Sequence, residues 1–156
     1  MIVRSRWPTA AHQLKDSPRR LLYARFGIAV LEFAFIAPLL VFLSIGMLEV
    51  ARGMQVKQVL TDAARKACRA GILSTGTNTA VTADINSVLS SNSISTSAAT
   101  ITILVNGTSA EVSTAAANQP ISVKVAIPYS SVATITGFFL TGVSIESEKI
   151  VMMSQR

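Results

Sequence analysis

The chain has 156 residues, enough for one small domain plus an appendage and too few for two full domains. Half of the residues are hydrophobic and only 14% are charged, where an average soluble domain carries about 25%. A single cysteine, Cys68, excludes an intramolecular disulfide and a multi-cysteine zinc site, and the lone His12 argues against histidine metal clusters and His-based triads.

The net charge of +6 is unevenly placed. Before residue 26, Arg4, Arg6, Lys15, Arg19, Arg20 and Arg25 face a single acid, Asp16. A second basic block, Arg52, Lys57, Arg65, Lys66 and Arg69, stands against Asp62. Beyond it, Lys124, Lys149 and Arg156 are outnumbered by Asp84, Glu111, Glu146 and Glu148. A nucleic-acid interface needs basic residues on one folded surface with base-reading or stacking side chains among them. Aromatics make up only 6% of this chain, and no nucleic-acid partner is expected.

Residues 1–25 read as a basic cytoplasmic leader, to whose Trp7 and His12 no chemistry is assigned. Phe26 to Leu48 is then apolar throughout except for Glu32 and the small Ser44. As a helix this run is roughly 33 Å long, enough to cross a bilayer core of about 30 Å. A buried helix of a soluble protein rarely stays apolar on every side for that distance. The segment reads as a single transmembrane helix, with membrane lipid as its first partner. The larger basic total in front of it places the N-terminus in the cytoplasm and the later residues outside. A cleaved secretory signal fits less well: the run exceeds an ordinary signal core, and no small-x-small site precedes a polar start.

An acid inside a hydrocarbon segment costs about 2.5–3.5 kcal/mol near the bilayer centre and less near its edge. Glu32 therefore either lies at headgroup depth or meets a buried positive partner.

The stretch Gly27-Ile28-Ala29-Val30-Leu31-Glu32-Phe33 resembles a type IV prepilin processing site: a glycine, four apolar residues, a glutamate, then a hydrophobic helix. Glu32-Phe33-Ala34, Pro38-Leu39-Leu40, Gly46 and Glu49 resemble the TadE-like family of tight-adherence (Flp) pilus assembly proteins. Leu60-Thr61-Asp62-Ala63-Ala64-Arg65 with Arg69 is similar to a segment that follows the membrane helix in that family. The chain departs from it at Lys66, Ala67 and Cys68, where Glu, Gly and Ala are usual. The likeness covers about residues 25–69.

The resemblance implies a processing site at Gly27, Ile28 and Glu32. A prepilin peptidase, a membrane aspartic protease, would cut after Gly27. The freed amine of Ile28 would then pair with Glu32 of a neighbouring subunit, offsetting much of the cost of burying either charge. Glycine at position 27 leaves the backbone open to close approach. Glu32, Phe33, Pro38 and Gly46 are the candidates for assembly or helix packing. Pro38 lacks a donor and bends the helix or frees the Ala34 carbonyl, and Gly46 with Ser44 is small enough for close helix contact. The partners implied are other pilin-like subunits and the pilus assembly machinery.

After the membrane, Val56, Val59, Leu60, Ala63, Ala67 and Ala70 recur at helical spacing, while the charged residues fall elsewhere. Residues 49–72 are expected to form an amphipathic stem-helix that stops near Gly71, with Cys68 as a small buried filler. Residues 73–156 form a Ser/Thr-rich, β-containing extracytoplasmic head. Val81, Ile85, Val88 and Leu89 predict a short helix capped by Thr79 or Asn78. Ile101, Ile103 and Val105 alternate, Asn106-Gly107 predicts a hairpin turn, and Ala110 and Val112 continue on a return strand. Ile121, Val123, Val125 and Ile127 alternate again, and a last strand covers about Val143 to Met152. Between them, Phe138-Phe139-Leu140 either plugs the small core or forms an exposed contact of the head.

No P-loop, HExxH, paired-cysteine or GxSxG motif occurs. Glu146 and Glu148 alternate on one predicted strand, where solvent contact is the ordinary role. Neither catalysis nor a cofactor nor a metal is expected. The fold class expected is α+β: a long N-terminal transmembrane helix continuing into the stem-helix, packed by a mostly antiparallel sheet of three or four strands. The function expected is that of a pilin-like membrane protein, a pseudopilin of the bacterial inner membrane and envelope, taking part in assembly of a tight-adherence pilus or related secretion apparatus. The alternatives are an unprocessed envelope scaffold or binding protein and, less consistent with the sequence, a secreted hydrolase.

Overall fold

In the computed structural model, the backbone is described for residues 18–73, 75–133 and 139–155, and side chains from residue 27 onward. The first helix, α1 (Pro18–Ile72), runs without a break through Pro38. Its contacts divide the chain into one unit ending at Phe42 and a second, Leu43–Arg156.

In the first unit the described side chains, apart from Glu32, are apolar and largely exposed: Ile28, Val30, Leu31, Phe33, Phe35 and Leu39 are all at least 60% accessible. In water each such side chain would forgo about 1.5–3 kcal/mol of burial. From Gly27 onward the helix is long and apolar enough to cross a membrane.

The second unit contains the rest of α1, a second helix α2 (Asn78–Ser91), and strands β1 (Thr100–Val105), β2 (Pro120–Pro128), β3 (Ser144–Glu146) and β4 (Ile150–Met153). The α+β expectation holds. All the strand ladders are antiparallel; β2 pairs with β1 on one side and with both β3 and β4 on the other. The alternation read in β2 is real, and Ile121, Val123, Val125 and Ile127 are fully buried. They face Val56, Leu60, Ala63, Ala64, Ala67 and Cys68 of α1 and Val81, Ile85 and Leu89 of α2 in one core. Small residues on α1 permit close approach: a Cβ at Gly71 would lie 3.2 Å from Val81 Cγ2 and 3.5 Å from Val112 Cγ1. Asp62, Arg65, Lys66 and Arg69 remain on the solvent side of the helix.

Three local expectations need correction. The α2 cap is Thr77, whose Oγ1 accepts the Ala80 N–H at 3.2 Å, one or two residues earlier than expected. Asn78 is otherwise engaged: its Oδ1 accepts the Val112 N–H at 2.9 Å and its Nδ2 donates to the Ala110 carbonyl at 3.4 Å. The return strand after Asn106-Gly107 does not form. The turn is present, with φ of 50° and 82°, but pairing stops at a single bridge between Val105 and Thr108. Val112 instead turns into the core beside α2, and β1 takes β2 as its partner.

The last strand is split. Ala126 pairs with Glu146, yet Val123 pairs with Ile150, so three residues (147–149) oppose two (124 and 125). This is a β-bulge, and it reverses which alternate residues face the core. Ser147 fills the inward bulge position, accepting the Val125 N–H on its Oγ at 3.0 Å. As a result Glu146 and Glu148 have different surroundings. Glu146 pairs with Lys124 at 2.6 Å, and Glu148 lies 4.0 Å from Arg65.

Candidate functional site

Gly27, Ile28, Glu32, Phe33 and Pro38 lie on the exposed helix of the first unit. A Cβ built on Gly27 would meet nothing within 4 Å, so no described side chain crowds that position. Ile28 and Glu32 are four residues apart and therefore share one helix face. The structure places the five residues along one helix, and among the described residues no hydrogen bond or ion pair to Glu32 is seen.

Gly46 has a different setting. It begins a three-residue pattern with Glu49 and Gly53, at spacings of three and four, which puts all three on one face of α1. The turn from Phe139 to Val143 sits on this face. The Phe139 ring lies 3.6 Å from where a Gly46 Cβ would be, and Leu140 Cδ1 lies 3.7 Å from a Gly53 Cβ. Between them the Glu49 carboxylate, only 2% exposed, accepts the Phe139 N–H on Oε2 at 2.9 Å. The two glycines leave room for the turn, and the acid fixes its backbone.

Strand β2 delivers a further contact to the same turn of helix. Pro128 ends the strand, and the buried Tyr129 donates its hydroxyl to the Glu49 carbonyl at 3.4 Å. Burial, and secondarily the Glu49 charge, push the Tyr129 phenol above its ordinary 10.0, with Arg52 acting the other way. Arg52 donates from Nη1 to Gln55 at 3.0 Å, while its Nε is buried without a hydrogen-bond partner among the described residues.

Of the expected head contact, Leu140 is partly buried against the core and Phe139 is 53% exposed; Phe138 lies outside the described residues. Sequence reasoning passed over Glu49 as a site, although an acid flanked by glycines at i−3 and i+4 just after an apolar run was a readable signal. Cys68, at the other end of the core, is fully buried and its Sγ donates to the Ile121 carbonyl at 3.5 Å. Burial pushes its thiol above the ordinary 9.0, opposed by the Met152 backbone.

An open groove of about 370 Å³ is lined by Lys57, Gln58, Thr61, Asp62, Arg65 and Glu148. Its charges are directed at one another, with Arg65 lying 3.7 Å from Asp62 and 4.0 Å from Glu148. Among the described residues, no group of three His, Cys, Asp or Glu side chains converges as a metal site would require.

Residues 27–69 match the family model described as TadE-like protein, about a quarter of the chain. No curated protein and no solved structure matches the chain. The matched segment runs from Gly27, through the apolar helix and Glu49, to Arg69 on the core-forming half of α1. Over this segment the chain is similar to TadE-like proteins.

Proposed function

We propose that the protein is a single-pass, pilin-like subunit that takes part in assembly of a tight-adherence pilus or related secretion apparatus. The observation that carries this reading is the continuity of α1. The helix whose exposed apolar half is suited to lipid also supplies the core of a folded head, and the family match spans both parts. Residues 1–25 are then the cytoplasmic leader, 26–48 the span across the inner membrane, 49–72 the stem and 73–156 the extracytoplasmic head.

In this reading prepilin peptidase cuts after Gly27, and the uncrowded space at its Cβ position supports that assignment. The bond broken joins Gly27 to Ile28, and the new amine of Ile28 is cationic at neutral pH. Glu32 on one subunit pairs with that amine on the next, so that neither charge stays unpaired in hydrocarbon. Phe33 and Pro38 shape the helix surface on which neighbours pack. The chain supplies no motor or catalytic step; the partner machinery supplies the work of extraction.

The test uses Gly27→Leu and Glu32→Ala in the native cell, with subunits cross-linked in the membrane and followed by gel mobility. Gly27→Leu should stay at full length. Glu32→Ala should be shortened like the wild type but lose its cross-linked neighbours. A wild-type chain that keeps residues 1–27 while the peptidase is active would favour the permanently anchored envelope scaffold.

A further inference from the structure

The turn from Phe139 to Val143 carries two exposed apolar side chains, with Phe139 at 53% and Val143 at 45% accessibility. The other turns of the head that adopt positive φ, at Ser93, Asn106 and Asn118, carry polar residues. We propose that this turn is a second membrane contact, an interfacial wedge that enters the outer edge of the same bilayer the helix crosses. The inference rests on the membrane-span reading.

Depth is the first argument. The Phe139 ring packs at Gly46, which lies inside the apolar run and two residues before its end at Leu48. At about 1.5 Å per residue the ring is held roughly 3 Å inside that end. Val50 and Met54 are also exposed on α1 beyond Leu48, beside Arg52, whose guanidinium turns to Gln55 as a cation at the headgroup level would. Met54 is about 9 Å past Leu48, comparable to the headgroup layer on one side of a bilayer. Aromatic rings concentrate at that depth because one part of the layer is apolar and the other wet.

The second argument is backbone satisfaction. A loop that approaches hydrocarbon must not bring unpaired amides with it. The Phe139 N–H is already held by Glu49 Oε2, and the Val143 N–H by the Leu140 carbonyl at 3.2 Å. The bond also gives the Glu49 carboxylate a donor at the membrane exit, where an unsolvated acid is costly. Among the described residues, the head's other large exposed apolar side chains, Leu73, Val151 and Met153, belong to the opposite end, where the Gln155 N–H donates to the Ile72 carbonyl. Ile72 is roughly 36 Å along the helix from Leu48, beyond reach of the interface.

Single-tryptophan fluorescence in vesicles tests the proposal. The full chain carrying Trp7→Phe is reconstituted into phosphatidylethanolamine–phosphatidylglycerol vesicles containing lipids brominated either near the carbonyl end or deep in the acyl chain. Tryptophan is placed by Phe139→Trp, by Val143→Trp, or by Phe42→Trp as a marker of the span. The two turn positions should lose most of their emission to the shallow bromines and less to the deep ones, while Phe42→Trp is quenched by the deep ones. If Phe42→Trp is quenched and neither turn position is, the turn faces water or another protein and the proposal is wrong. If none of the three is quenched, the membrane-span reading fails and takes this inference with it.

Discussion

Replacing Glu49 by alanine removes the acceptor that fixes the Phe139–Val143 turn on α1. The bond is 2.9 Å long and its acceptor is a carboxylate that is 2% exposed, so it belongs with hydrogen bonds to charged groups, about 1.5–3 kcal/mol each. Phe139 is itself half exposed, and its freed amide can recruit water, which puts the expected loss at the lower end, about 1.5–2 kcal/mol. Since about 1.4 kcal/mol corresponds to a factor of ten, protection of the Phe139 amide against hydrogen exchange should fall roughly ten- to thirtyfold. Glu49→Gln keeps an acceptor oxygen while removing the charge, and should lose about half as much free energy. The assay is amide exchange of the full chain in detergent micelles, read on the Phe139–Val143 segment with β2 as internal reference. Unchanged exchange in Glu49→Ala would refute the role assigned to the carboxylate. A uniform rise that includes β2 would show that the acid supports the whole head and not this turn.

Leu60 is fully buried between α1 and the sheet, so Leu60→Ala should destabilise the head by about 2–5 kcal/mol in denaturant unfolding. Lys124→Ala, which breaks a half-exposed ion pair with Glu146, should cost under about 1 kcal/mol; a reversed order would place the core elsewhere. Stability should also fall as pH rises through 9 and 10. The Cys68 thiol and the Tyr129 phenol keep their protons to higher pH in the fold than their ordinary 9.0 and 10.0. In that window the unfolded chain has released protons that the folded chain retains, so each further rise favours unfolding, whereas below pH 9 these groups add no slope. Thermal unfolding from pH 7 to 11 checks this: Cys68→Ala and Tyr129→Phe should each flatten the decline, and an unaltered slope in both would contradict it.

The elements governed by periodicity were readable from residues alone. The apolar run of α1, the buried stripe of Val56, Leu60, Ala63 and Ala67, and the alternation of β2 all report one-dimensional patterns that burial enforces. What escaped depended on competition between distant residues. Asn106-Gly107 does make its turn, but β1 had two claimants, and β2 offers a longer apolar alternation than residues 110–112. The bulge at 147–149 is invisible to a period-two reading because it breaks that period, its only trace being Ser147 where an inward residue was due. Asn78 looked like a cap because of its residue type; its side chain was needed across the chain at Ala110 and Val112. The Glu49 junction combines residues 90 positions apart, and only its helix half left a sequence signature.

The central claim is that the chain is a matured, pilin-like membrane subunit, and its N-terminus in native membranes tests that claim most directly. Intact mass and N-terminal sequencing of the protein extracted from cells with active prepilin peptidase should give a chain beginning at Ile28. A chain beginning at Met1 under the same conditions would contradict processing, leave the Ile28 amine unformed and remove the partner assigned to Glu32.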